Sequence, residues 1–221
     1  MTSLKEESFS ENDIIDPNWV IRYLLNHLPR KNVNAEDTLK IIKKMCKRIK
    51  GVRINYRRSG GFKDCFVVHG LFDDQLKKSI IITLMCSSYK KRFTMDEKIY
   101  HHLITEVADA LCHESIHRYQ YSARYYDPDK YRDDDNGIEY YIDPDEMFAY
   151  AVNIAHNLNR KYGEGALSKM NNIDEAVKED GYLADYYSLL YQTPQFNKLL
   201  KMIYQNLESI KQGRIVHRPY I

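Results

Sequence analysis

The chain has 221 residues, the length of one domain with room for an appended segment. Its 33 Lys and Arg against 31 Asp and Glu leave a formal net charge of +2, which excludes a uniformly basic nucleic-acid-binding protein. Hydrophobic residues at 43% and charged residues at 29% are typical of a globular chain and exclude wholesale disorder.

Nothing in the sequence predicts export or a membrane span. The first 17 residues carry no apolar signal core, and the longest apolar run, residues 80–86, is far too short to cross a bilayer. The four cysteines are widely spaced, which favours reduced thiols over disulfides or a Cys-type zinc site. We therefore expect a cytoplasmic protein.

The N-terminal part is predicted to contain a tail, two helices and a sheet. Residues 1–15 are polar and read as a flexible tail. Asp16-Pro17 provides a cap and first residue for one helix, and Asn34 can cap a second helix over about 35–50. Three β-rich runs follow between positions 52 and 86, separated in part by Gly70, and predict a three-stranded antiparallel meander.

The C-terminal part is predicted to be helical around one acidic loop. A capping box at Thr94-Met95-Asp96-Glu97 starts the longest helix, about 95–123. Residues 127–142 read as a Tyr-rich acidic loop with a turn, and Asp143-Pro144 starts a helix over about 144–161. Thr193-Pro194 starts the last amphipathic helix.

These elements predict an α+β fold in which a small antiparallel sheet packs on the long helix. The predicted domains are a tail over residues 1–15, a core over 16–161 and a helical C-terminal subdomain over 162–221 that packs on the core.

The long helix carries His113-Glu114-Ser115-Ile116-His117, which has the H-E-x-x-H pattern. Residues i and i+4 lie one above the other on a helix, so both imidazoles can reach one metal ion. Glu114 lies beside them, where it can take a proton from a metal-activated water. The pattern therefore predicts a Zn²⁺ site with His113 and His117 as ligands and Glu114 as general base.

A catalytic zinc site needs a third protein ligand, for which the sequence offers several candidates. Glu146 opens the next helix 29 positions after His117, and it is followed by the small residue Ala149. Acidic residues are also common in a first helical turn for capping reasons, so this position alone is ambiguous. Glu139 and the aspartates of the acidic loop are the alternatives.

The string HESIHRYQY…YYIDPDEMFAYAVNIA resembles the gluzincin branch of the zincin metallopeptidases. It is also similar to uncharacterised proteins of tailed bacteriophages that are classed as metallopeptidases. The resemblance covers about residues 95–160 and implies a zincin-like core with His113, His117 and Glu146 as zinc ligands. It also implies that the strand before the long helix, residues 79–87, pairs with an extended peptide substrate.

One position departs from the thermolysin-like pattern. Those enzymes place an Asp four residues after the third ligand to orient a ligand histidine, and Tyr150 stands there in this chain. Asp109, one helical turn before His113, is the predicted substitute.

Peptide hydrolysis also needs a group that stabilises the oxyanion. Tyr150 shares a helix face with Glu146 by its i,i+4 spacing and is the first candidate. The alternatives near the motif are Tyr119, Tyr121, Tyr140, Tyr141 and Arg118.

These features predict a zinc-dependent metallopeptidase that hydrolyses peptide bonds with zinc-activated water. Its expected partner is a peptide or protein substrate, with no membrane and no nucleic acid, in the host cytoplasm or the virion if the protein is phage-encoded. The alternative is a non-catalytic zincin-like interaction protein or virion structural protein, which the missing Asp favours. The sequence does not predict the oligomeric state.

The near-neutral total conceals a charge asymmetry. Residues 36–92 carry 15 Lys and Arg against 5 Asp and Glu, and residues 127–146 carry 2 against 9. The asymmetry favours charged substrates or partners. The basic segment leaves open a phosphate- or nucleic-acid-binding module as a third interpretation.

Overall fold

A computed structural model describes residues 13–31, 35–58, 66–73, 79–86, 95–123 and 137–216. In this part of the chain the fold is α+β, mostly helical with one small sheet, as the sequence predicted. The backbone divides into two compact units, Met1–Tyr119 and Gln120–Ile221. The domain boundaries predicted from the sequence stay predictions.

The first unit begins with two helices, α1 (Pro17–His27) and α2 (Ala35–Cys46). The Asp16 carboxylate accepts the N–H of Asn18 at 2.9 Å, so the predicted start of α1 is confirmed. α2 ends earlier than predicted, because the chain turns at residues 47–50. The predicted cap of α2, Asn34, lies outside the described residues.

Three strands are described in this unit: β1 (Val52–Arg58), β2 (Val67–Asp73) and β3 (Ser79–Cys86). They form a mixed sheet in the order β1-β3-β2, with β1 parallel and β2 antiparallel to β3. The predicted antiparallel meander is therefore wrong. Residues 79–87 were predicted to pair with a peptide substrate; this is wrong for Ser79–Cys86, because both edges of β3 are paired, and residue 87 lies outside the described residues.

The sheet order follows from burial rather than from chain order. Hydrophobic alternation along a strand determines which face of the sheet each side chain occupies. It does not determine which strands are neighbours in the sheet. β3 is the most buried strand, with Ile80, Ile82 and Leu84 at 0–1% exposure, and a central position suits it. Arg58 and Val67 flank the same end of β3 on its two sides, about 10 Å apart, so this order brings the end of β1 near the start of β2.

The long helix α3 (Glu97–Ala123) carries the H-E-x-x-H motif, as predicted. The Asp96 carboxylate accepts the N–H of Ile99 at 2.7 Å and caps the helix. Thr94, the predicted cap, lies outside the described residues. The apolar stripe predicted for this helix is buried, at 0–1% exposure, and comprises Leu103, Val107 and Leu111.

Polar contacts fix the motif end of α3 to the N-terminal segment. Ser115 Oγ accepts the N–H of Ile15 at 2.9 Å. Arg118 is 2% exposed and donates to the carbonyl oxygens of Lys50 at 2.8 Å and Asp13 at 3.4 Å. These bonds satisfy carbonyl groups inside the first unit, so the Arg118 guanidinium stabilises the fold. Its role as an oxyanion-binding group stays a prediction.

The second unit contains α4 (Ile138–Ile142) and α5 (Pro144–Tyr162). The start of α5 is confirmed, with the Asp143 carboxylate as its cap. The prediction of a loop is wrong for Ile138–Ile142, because one short turn of helix has no repeat long enough to be read from the sequence. The rest of that predicted loop and its turn, up to position 136, lies outside the described residues.

The remainder of the second unit is helical, as predicted. Its core is formed by apolar side chains that are 0–4% exposed, including Ile154 and Leu158 of α5 and Ile203 and Leu207 of the last helix. After a short 3-10 turn at Gly163–Gly165, the helices are α6 (Ala166–Met170), α7 (Ile173–Val177), α8 (Gly181–Leu190) and α9 (Pro194–Lys211).

None of the helices in the described ranges combines the length and the apolar character that a membrane span requires. Cys46, Cys86 and Cys112 are buried free thiols, and Cys65 lies outside the described residues. Burial raises the pKa of the Cys46 thiol to about 12, so this thiol stays protonated at neutral pH.

We predict a hydrogen-exchange pattern that distinguishes the mixed sheet from the meander. The backbone N–H groups of β3 all exchange slowly, because the strand is paired on both sides. Alternate N–H groups of β2 exchange fast, because β3 pairs with only one of its edges. Amide exchange followed by NMR measures both. Fast exchange at alternate positions of β3 would contradict the strand order.

Candidate metal centre

The two histidines of the motif converge on one point. His113 and His117 lie one turn apart on α3, and their Nε2 atoms are 3.0 Å apart. The rings cross at 76°, and the residues are 8% and 4% exposed. A neutral imidazole has one nitrogen with a hydrogen and one with a lone pair that can bind a metal ion. When two Nε2 atoms lie in contact, their lone pairs can bind the same ion.

Glu146 is the third member of the group. It lies in the first turn of α5, where its N–H and that of Asp145 donate to the Asp143 carboxylate at 3.2 and 2.7 Å. Among the described residues, His113, His117 and Glu146 form a group whose ligand atoms all lie within 4.8 Å of one another. This group could hold a metal ion.

The donor set is chemically suited to a divalent transition metal. Two imidazole nitrogens and one carboxylate oxygen are the ligands of many zinc sites with an open fourth position. Ligands at ~2.0–2.1 Å from a tetrahedral ion lie about 3.3 Å apart. The 3.0 Å between the Nε2 atoms of His113 and His117 is within a few tenths of an ångström of that value.

Glu114, between the two histidines in sequence, lies against strand β2. A Cβ atom added to Gly70 would be 2.6 Å from Oε1 and 2.7 Å from Cγ of Glu114. Gly70 therefore makes room for the Glu114 side chain. In the sequence, Gly70 separates β-rich runs, and a glycine at such a place is also a signal of close approach.

Two tyrosine hydroxyls lie beside the Glu146 carboxylate in the second unit. Tyr140 of α4 shares a hydrogen bond of 3.1 Å with Tyr150 of α5, and the Glu146 carboxylate acts on the Tyr140 hydroxyl electrostatically. Burial raises the pKa of Tyr140, and the charge of Glu146 raises it further, so Tyr140 is a neutral hydroxyl donor. The Tyr150 ring packs against Tyr182 and Tyr186.

The remaining predicted residues fall into distinct environments. Asp109 is buried, at 2% exposure, and its contact with His113 stays a prediction. Glu139, the alternative third ligand, is exposed on α4 and lies outside the group. Tyr121 is buried, and Tyr119 and Tyr141 are half-buried. No described contact assigns these three tyrosines to the metal group.

Comparison with models of known protein families, with curated proteins and with solved structures gives no match.

We predict that the protein binds one Zn²⁺ per chain and that His113→Ala weakens this binding by at least about 100-fold, because it removes one of three ligands. Isothermal titration calorimetry on metal-free protein measures the dissociation constant. His101→Ala is the matched control, because His101 lies on the same helix with an exposed side chain. Equal zinc affinity for wild type and His113→Ala would contradict the site.

Proposed function

We propose that the protein is a zinc-dependent, zincin-like metallopeptidase that hydrolyses peptide bonds. The observation that carries the proposal is the group of His113, His117 and Glu146, with Glu114 on the same helix as the two histidines. A zinc ion held there would supply Lewis acidity toward a peptide carbonyl and lower the pKa of its water. The likeness to phage-encoded metallopeptidases stays a prediction.

Glu114 has the proton-transfer role in this proposal. Its carboxylate takes a proton from the attacking water and delivers it to the amine of the departing peptide. A general base must be held within hydrogen-bond reach of its proton, and the contact with Gly70 restricts where the Glu114 side chain can lie. Gly70 is therefore a positioning residue for this base.

The tyrosine hydroxyls offer two ways to support the reaction. Tyr140 lies close enough to Glu146 to feel its charge, and a hydrogen bond from its hydroxyl would hold the carboxylate in one orientation. Tyr150, hydrogen-bonded to Tyr140, was predicted to stabilise the developing oxyanion, and we keep this role as a proposal. Tyr140 stays a neutral hydroxyl at physiological pH, because its pKa is raised.

Substrate binding is assigned to β2 rather than to β3. Among the strands in the described residues, β2 lies at the edge of the sheet, and Gly70 of this strand touches Glu114. An extended peptide that pairs with this edge would pass beside the proposed base. Backbone pairing gives affinity without much dependence on sequence, so specificity must come from side-chain subsites.

We predict that Glu114→Gln abolishes peptide hydrolysis, lowering kcat by at least about 1000-fold, because the amide cannot accept the proton. Zinc affinity stays within about threefold of wild type, because Glu114 is not a ligand. Mass spectrometry of a digested peptide library measures cleavage, and calorimetry measures zinc binding. If zinc-loaded wild type cleaves no peptide, the non-catalytic alternative replaces this proposal.

We predict that Gly70→Ala lowers kcat by about 100-fold, the effect of a displacement of about 1 Å in a catalytic group. The added methyl group occupies the space of the Glu114 side chain. Val68→Ala is a matched control on the same strand, two residues away and half-buried. Circular dichroism and zinc titration show whether fold and metal site are kept. A Gly70→Ala variant with wild-type kcat would remove the positioning role.

A further inference from the structure

A stripe of titratable side chains leads away from the candidate metal centre along α3. His117, His113, Glu106 and His102 follow one another at helical spacing, with Ala110 between His113 and Glu106. Glu106 precedes His113 by seven residues, which places it two turns away, about 10.5 Å, on the same face. The proposed function uses the two histidines at one end and leaves Glu106 without a role.

Glu106 is a partly buried carboxylate, and the charged or titratable groups that act on it within the described residues are imidazoles. Its side chain is 34% exposed, and Oε1 is 3.8 Å from Nδ1 of His102. His69 of β2 is the other group in the described residues that acts on it electrostatically. Burial raises the pKa of Glu106, and the two histidines lower it. Within the described ranges, no lysine or arginine forms an ion pair with this carboxylate.

A cavity lies near Glu106, on the side of α3 that faces strand β2. It has a volume of about 420 Å³ and is lined by Phe66, Asp96, Lys98, Ile99, His102 and Leu103. Phe66 immediately precedes β2, His69 acts on Glu106 from this strand, and Gly70 touches Glu114. A peptide paired with β2 would therefore run alongside the stripe. The apolar part of the lining, Phe66, Ile99 and Leu103, suits the methylene stem of a long cationic side chain, and Asp96 and Lys98 add one charge of each sign.

We propose that Glu106 forms a substrate subsite that binds a lysine or arginine side chain. This inference rests on the proposed peptidase function and names its substrate class. An extended peptide advances ~3.3 Å per residue, so about 10.5 Å corresponds to about three residues. The cationic residue of the substrate lies about three residues from the bond that is cleaved. Its ammonium or guanidinium group pairs with the Glu106 carboxylate, which no lysine or arginine of the described ranges neutralises.

The test compares cleavage profiles at pH 8, where ordinary imidazoles are uncharged. Zinc-loaded protein digests a peptide library, and mass spectrometry reads the residues around each cleaved bond. Wild type is expected to enrich Lys and Arg about three residues from the bond, and Glu106→Gln to lose this enrichment while it still cleaves. Glu97→Gln is the matched control, because Glu97 also faces a histidine at 3.8 Å on α3 but is 82% exposed.

A binding measurement separates recognition from turnover. In the Glu114→Gln background, a fluorescent peptide with Lys at the preferred position should bind about tenfold more tightly than the same peptide with norleucine. Adding Glu106→Gln should remove the difference, with zinc affinity unchanged as the check on folding. Cleavage by wild type without enrichment of Lys or Arg, or enrichment that survives Glu106→Gln, overturns the subsite and leaves the peptidase intact. Absence of any cleavage overturns both.

Discussion

The contact between the Nε2 atoms of His113 and His117, 3.0 Å apart and buried, is the constraint on which the site depends. Two lone-pair-bearing nitrogens at this distance are stable when one donates a proton to the other or when both bind a cation. The arrangement requires an unbroken helix through positions 113–117, because only helical spacing places residues i and i+4 in register. Helix α3 is unbroken through these positions.

The contacts around α3 hold that segment in place. Ser115, between the histidines, bonds to the N–H of Ile15, and the buried Arg118 guanidinium bonds to the carbonyl of Lys50. A buried guanidinium is costly unless its N–H groups are satisfied, so these bonds tie the helix to the N-terminal segment. The other neighbour is β2, where Gly70 permits the approach of Glu114. Ser115, Arg118 and Gly70 therefore hold the helix segment that carries the two histidines in place.

The features that the sequence predicted are those set by local chemistry. Helical spacing and helix caps are properties of a few consecutive residues, which is why the motif helix and the Asp143 cap of α5 were predictable. The order of the strands was not predictable, because β1 pairs with β3 although β2 lies between them in the sequence. The approach of Gly70 to Glu114 joins positions 44 residues apart, and only the presence of glycine inside a β-rich run pointed to it. Tyr140 was named among several tyrosines, but its place beside Glu146 depends on α4, a helix too short to predict.

The central claim is that His113, His117 and Glu146 bind one metal ion together. X-ray absorption at the zinc edge of the loaded protein tests it most directly, since it reports the ligand types and distances around the ion. The account predicts two imidazole nitrogens at ~2.0–2.1 Å and an oxygen shell at ~2.0–2.2 Å, with one imidazole lost in His117→Ala and one oxygen lost in Glu146→Ala. A sulfur shell near 2.3 Å, or a spectrum that neither variant changes, would contradict it.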